Sequence, residues 1–241
     1  MSKLTSNIAV FPVSLFNNST TTYDGTDLGA EGTAGDGRYY RWALVGSSTN
    51  LVAGTLLQGP AQDATNWQNL VVSAASTGAT EITVTSTVTT TANSLAGGLM
   101  IVRTGTGDGF TYEIAGNTAA SSSGFTITLV DPLLAALDST SRVDAQPNPY
   151  NGVIINPTTP TSAPVGVAIT NSTKGTYNFI QTRGPVALLA KGAITAGQSV
   201  VASVVTAGAV SAAAGNAYPI IGTALEGIAD GDYGLVFLTL S

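Results

Sequence analysis

Between residues 184 and 241, apolar runs no longer than a β-strand are cut repeatedly by glycine-bearing turns: the Gly192–Gly197 region, Ala207-Gly208, Ala214-Gly215-Asn216 and Asp230-Gly231-Asp232. A helix shows apolar residues every three or four positions over roughly ten or more residues. Short runs bounded by Gly, Asn and Asp are instead the mark of antiparallel strands and tight turns. The pattern extends upstream. In Glu81–Val88, Ile82, Val84 and Val88 fall on one face, and Glu81, Thr83, Thr85 and Thr87 on the other. Phe110-Thr-Tyr112-Glu-Ile114 and Phe125-Thr-Ile127-Thr-Leu129 keep the same period of two, and Leu99–Val102 reads as a short continuous apolar strand. The predicted fold class is all-β. It comprises two small antiparallel β-sandwich or barrel-like domains preceded by an extended N-terminal arm, with very little helix. One or two helical turns are expected over Asp131–Asp138, with Asp131 as N-cap and Pro132 at the first helical position.

The punctuation divides the chain into four parts. Residues 1–65 are expected to be an extended arm with the first strands. There Ile8–Phe16 reads as an edge strand, with Pro12 at a non-donating position, followed by a glycine-dense loop from Asn17 to Gly37. Tyr39–Val45 is the first strong strand and Leu51–Leu57 the second. Residues 66–140 form a middle β-domain. Residues 141–165 carry Pro147, Pro149, Pro157, Pro160 and Pro164, which predicts a connector around one strand, Gly152–Ile155. Residues 166–241 form a C-terminal β-domain entered through Gly175–Thr182.

Composition narrows the function classes. With 44% apolar residues the chain can bury a sizeable core, yet only 9% are charged against the usual quarter. A surface poor in Lys and Glu but rich in Thr and Ser suits a protein covered by neighbours. The 8 basic residues are scattered against 14 acidic ones, leaving no electrostatic footprint for a phosphate backbone, so no nucleic acid is expected as partner. The chain has no cysteine and no histidine. Their lack removes disulfides, thiolate metal sites, His-dependent catalytic triads and the commonest transition-metal ligands. The apolar run near the N-terminus is nine residues, broken by Pro12 and Ser14, shorter than a signal-peptide core. No segment approaches the roughly 20 apolar residues of a membrane span. Synthesis in a cytoplasm, with no membrane partner, is the expectation.

Several stretches invite chemistry and each has a plainer alternative. Gly105-Thr-Gly-Asp-Gly109 sits between two strands and lacks the Lys-Ser/Thr pair of a phosphate loop, so it reads as a hairpin turn. Asp24, Asp27, Glu31 and Asp36 crowd a glycine-rich loop that can be weighed as a calcium site. Their spacing is not that of an EF-hand, and Arg38 and Arg41 are natural partners for them. Glu81 and Glu113, the carboxylates to consider for glycan hydrolysis, alternate outward as surface acids. No catalytic, cofactor or metal residues are assigned, and the chain is expected not to be an enzyme. The candidate interface residues are Phe11 and Phe16 in the arm and Tyr39, Tyr40, Arg41 and Trp42 in the first strong strand. Trp, Tyr and Arg dominate interface energetics. Alternation places Tyr40 and Trp42 together on one face, where filling the core of the first sheet is the equal alternative.

The order of the turn-and-strand blocks carries a resemblance. Gly184-Pro185, Ala193-Ile-Thr-Ala-Gly197, Ile221-Gly-Thr-Ala-Leu225 and the closing strand Gly234–Leu240 resemble the small β-domain of tailed-bacteriophage head decoration, or cement, proteins. Three further blocks are similar to a virion-head pattern: Ala96–Leu99 with Gly107–Ile114, Pro147–Val153, and Tyr177 to Pro185. The resemblance implies a capsid-stabilising protein on the virion exterior. Its partners would be the major capsid protein and its own copies, as a homotrimer at threefold positions. No cofactor is implied. The alternative is a host-attachment module that binds a surface glycan, which exposed aromatics in a groove would favour.

Overall fold

The structure, a computed structural model, describes residues 9–10, 27–86, 89–120, 124–213 and 218–240. The chain forms two compact units, one from Met1–Pro60 with Pro149–Ser241 and the other from Ala61–Asn148. The all-β expectation holds, and one barrel is inserted into the other unit's sequence.

The first unit begins with β1 (Ala9–Val10) parallel to β2 (Glu31–Thr33), which runs antiparallel to β3 (Tyr39–Val45); β4 (Leu56–Gln58) follows. The second unit opens with α1 (Ala64–Trp67), a single turn capped by Asp63, whose Oδ1 accepts from the Asn66 N–H at 3.0 Å. Six strands follow: β5 (Leu70–Val72), β6 (Glu81–Thr85), β7 (Leu99–Thr104), β8 (Thr111–Asn117), β9 (Phe125–Leu129) and β10 (Arg142–Gln146). They close into a barrel in the order β10-β5-β6-β9-β8-β7. Each alternating strand sends one set of side chains inward, so Ile82, Val84, Met100, Ile114, Ile127 and Val143 fill the interior. Each contributes about 1.5–3 kcal/mol by leaving water.

The chain then returns to the first unit through β11 (Asn151–Ile155), β12 (Pro164–Ala168), β13 (Tyr177–Leu189), β14 (Ser199–Ala202), β15 (Val210–Ala212), β16 (Ile220–Ala224) and β17 (Tyr233–Thr239). The sheet order is β1-β2-β3-β11-β4-β12-β13-β17-β16-β14-β15, and β3 also pairs with β13. That extra pairing closes a ring of β3, β11, β4, β12 and β13 around Ala43, Val45, Leu57, Val153 and Ile180. The distal half of β13 pairs with β17, and Val210 of β15 bridges to Ala190 just past the end of β13. A second ring thereby encloses Leu188, Val200, Ile221, Val236 and Leu238. The long β13 is a wall of both rings. It changes partner at Arg183, opposite both Tyr39 and Thr239. Gly184 makes the passage possible: its φ is +88°, and a Cβ there would sit 2.9 Å from the Gly37 carbonyl oxygen.

Three expectations are corrected. The span 141–165 is not a connector, because β10, β11 and the start of β12 occupy much of it and β10 closes the inserted barrel against β5 and β7. The described part of 1–65 carries the expected first strands, and β3 takes a partner from β13, more than a hundred residues later. The 131–138 segment is not helical. Its backbone bonds instead go to the chain before β6: Leu133 N–H to Ala79 O at 2.9 Å and Leu137 N–H to Ala75 O at 2.8 Å. Those bonds plant Leu133 and Leu137 in the barrel core, which outweighs a single helical turn of marginal intrinsic stability. The expected strand Leu51–Leu57 shrinks to a bridge at Leu51 and the short β4. Ala9–Val10 is paired, while the rest of Ile8–Phe16 lies outside the described residues.

Both ends of the insertion leave the first unit from neighbouring points: a Cβ on Gly59 would lie 2.9 Å from the Pro149 carbonyl oxygen. Replacing residues 61–148 by a short Gly-Ser linker is therefore expected to leave a first unit that still unfolds cooperatively in urea, followed by Trp42 fluorescence. A gradual, non-cooperative loss of signal would show that the first unit needs the barrel.

Candidate functional site

On β3 the alternation places Tyr40 and Trp42 inward, 1% and 3% exposed. Trp42 lies opposite Phe179 of β13, their ring centroids 4.7 Å apart, and stacks on Tyr177 at 6.1 Å. With Leu28, Ala30 and Ile169 these rings form a small aromatic core. Tyr40 and Trp42 are thus core residues and not interface residues, which corrects their candidacy. Burial pushes the Tyr40 hydroxyl pKa up, and the charge of Arg38 offsets part of that rise.

The other two residues of the cluster are only partly covered. Tyr39 lies under the Arg183 guanidinium, 5.6 Å from its carbon to the ring centroid. Arg41 is committed within the chain: Nη1 donates to the Gly29 carbonyl at 2.8 Å, Nη2 pairs with Glu31 at 3.1 Å, and the group lies over Tyr150 at 5.9 Å. It ties β3 to the preceding loop. Phe11 and Phe16 lie outside the described residues.

The acidic loop meets its arginines. Asp36 accepts from the Arg38 backbone N–H at 3.1 Å and from its Nε at 2.8 Å, and these hydrogen bonds hold its carboxyl below the usual range. Asp24 is outside the described residues; among those described, no group of three or more His, Cys, Asp or Glu is placed to hold a metal. Glu81 and Glu113 point outward from β6 and β8. Gly105–Gly109 is the expected β7–β8 hairpin turn. It is fastened by Asp138, which accepts from the Thr106 hydroxyl at 2.6 Å and from the Thr140 hydroxyl and N–H at 2.6 and 2.8 Å. Those donors hold the Asp138 carboxyl down at about 2. At the other end of the chain, Asp230 caps its turn by accepting from Gly192 N–H at 2.7 Å and Lys191 Nζ at 2.9 Å. Asp36, Asp138 and Asp230 are thus each engaged in holding a turn.

The outside of the strands carries a further feature, exposed apolar side chains. In the inserted barrel Leu99 and Ile101 of β7 remain exposed, with Phe110, Val130 and Leu134. In the first unit Tyr233, Leu235 and Phe237 of β17 remain exposed, with Ile220 and Leu225. The signal lies in the sequence: both Leu99–Val102 and Leu235–Leu238 are apolar without alternation, which is how strands covered on two faces read. Comparison with protein-family models, curated proteins and solved structures finds no match. Among the described residues no helix is long and apolar enough to cross a membrane.

Proposed function

We propose that this chain is a virion structural protein that binds the outer surface of a phage capsid and braces the shell by bridging capsid subunits. The observation that carries this reading is the inserted barrel, filled with side chains inside while Leu99 and Ile101 of β7 stand exposed on its outer wall. A filled barrel works from its exterior. Its β7 presents Leu99 and Ile101 opposite Glu113 and Thr111 of β8, and Phe110, Val130 and Leu134 add to the exposed apolar area. Apolar area of this kind favours association with another surface. The low charge of the chain and the order of its turn-and-strand blocks along 96–240 support the same role. The mechanism is physical: surface buried across several subunits must be re-exposed before they separate. Selective binding to the assembled shell stabilises it by mass action.

Purified chain is expected to co-sediment with capsids that lack it and not with host cells. The double substitution Leu99→Lys with Ile101→Lys, on outward positions, is expected to weaken capsid binding at least about tenfold with an unchanged far-UV circular dichroism spectrum. Sedimentation with cells and not capsids would favour the second reading, host attachment through a surface glycan. That reading draws on an open cleft of about 410 Å³ in the first unit, lined by Arg38, Gly54, Gln181 and the exposed Tyr233, whose ring can stack on a sugar.

A further inference from the structure

The cleft of about 410 Å³ in the first unit is the hollow of a bend in β13. Ile180 pairs with Ala168 of β12, and further along β13 the Leu189 N–H donates to the Gly54 carbonyl at 2.9 Å. Gly54 in turn donates its N–H to the Ala168 carbonyl at 2.8 Å, so both points of β13 lie within reach of one residue. A straight strand would hold them roughly 30 Å apart. Ala53, Ala168, Ile169 and Val186 give the hollow aliphatic walls. The Tyr233 ring closes one end, so near Gly54 that a Cβ there would sit 2.7 Å from it.

The backbone of Ala187 opens into this hollow. Ala187 lies opposite Leu235 of β17, but the two exchange no hydrogen bond: the Leu235 N–H donates to Glu226 Oε1 at 2.9 Å, and its carbonyl accepts from the Leu225 N–H at 2.8 Å. In an antiparallel ladder such a residue turns its own N–H and carbonyl away from the paired strand. Leu189, in the same phase of the ladder, does so and finds Gly54. Pro185 has no N–H to offer, and Gln181 Nε2 donates to its carbonyl at 2.9 Å and to that of Arg183 at 3.0 Å. Between Pro185 and Leu189, Ala187 finds no backbone partner among the described residues. Its carbonyl faces the Gly54 wall, 3.4 Å from where a Cβ on that glycine would lie.

We infer that the cleft takes one residue of an extended segment from a partner polypeptide, which exchanges two hydrogen bonds with Ala187 and lays a small aliphatic side chain against Ala53, Ala168 and Ile169. A free donor and a free acceptor on one strand residue match the acceptor and donor of a residue on an incoming strand. Strand addition of this kind draws its affinity from main-chain bonds and its selectivity from the pocket beside them. A sugar, the occupant under the host-attachment reading, carries a hydroxyl on nearly every carbon, and the aliphatic walls leave most of these unmatched. Capsid binding was argued above from the inserted barrel, so this inference stands apart from it.

The probe is a short capped peptide of alternating threonine and valine, added to the full-length chain and followed by nuclear magnetic resonance of its backbone amides. At millimolar peptide the Ala187 amide signal is expected to move and its hydrogen exchange to slow about tenfold or more. The same peptide N-methylated throughout keeps its side chains, loses its donors, and is expected to bind at least about tenfold more weakly. Ala187→Pro removes the free N–H while leaving the β17 ladder alone, as Pro185 already does on the same side of the strand. It is expected to lose peptide binding and keep the wild-type circular dichroism spectrum. Should that variant fail to fold, the two peptides on the wild-type chain decide the matter. An Ala187 amide unmoved by peptide, or equal binding of both peptides, would overturn the inference. So would a methyl glycoside that moves the Ala187 and Gln181 signals where peptide does not, and that result would give the cleft to host attachment. The capsid sedimentation of the Leu99 and Ile101 variants is read separately, so failure of one proposal leaves the other standing.

Discussion

Replacing Trp42 by alanine is expected to destabilise the first unit by about 3–5 kcal/mol, the range for truncating a large aromatic in a packed core. Trp42 is 3% exposed and fills the space between Phe179, Tyr177 and the loop residues Leu28 and Ala30. Nothing nearby is free to collapse into the gap, because Trp42 and Phe179 are register partners on two strands locked by the β3–β13 ladder. Tyr39→Ala, on the opposite face of the same strand, is expected to cost about 1 kcal/mol or less. Urea denaturation followed by far-UV circular dichroism distinguishes the two. The chain has two tryptophans, Trp42 and Trp67, one in each unit, so Trp42→Phe leaves fluorescence to report the inserted barrel alone. A Trp42→Ala protein of wild-type stability that had lost capsid binding would return Trp42 to the interface.

Gly222→Val is expected to cost about 3 kcal/mol, the upper part of the usual range for overpacking. Gly222 lies in β16 opposite Leu238 of β17. A Cβ there would collide with the Phe237 carbonyl oxygen and sit 2.9 Å from its carbon and 3.1 Å from the Leu238 Cα. These are backbone atoms of the pairing strand and cannot rotate away. The side chain therefore forces β17 off β16, loosening the pairs Thr223–Phe237 and Ala224–Val236 and the Val236–Leu238 packing beneath them. Gly231→Ala, in an open turn at φ +83°, is the control: it meets nothing within 4 Å and carries only the smaller cost of its backbone conformation. Thermal unfolding of the two variants separates them. Equal melting temperatures would mean that β16 can shift without loss.

Much of the strand content was readable because alternation is a local property. Glu81–Thr85, Thr111–Ile114 and Phe125–Leu129 show the expected faces in the barrel, and Gly105–Gly109 is the turn its spacing implied. The helical turn expected at Asp131 does not form, for the same reason. Local cap chemistry favoured it, but long-range bonds to Ala75 and Ala79 took the backbone elsewhere. The aromatic cluster on β3 was recognised with its two alternatives open. Only the position of Phe179, 137 residues away in sequence from Trp42, decided that Trp42 is core.

What the residues determined by themselves is the material: short strands, tight turns, low charge, and no thiol or imidazole for chemistry. Those properties follow from side-chain type and neighbour spacing, and neighbours stay neighbours in any fold. The tertiary structure decided which strands meet, that residues 61–148 are an insertion between two halves of one unit, and that β17 keeps an apolar face uncovered. Pairing between strands a hundred residues apart depends on closure of the whole ring, and no local window along the chain contains it.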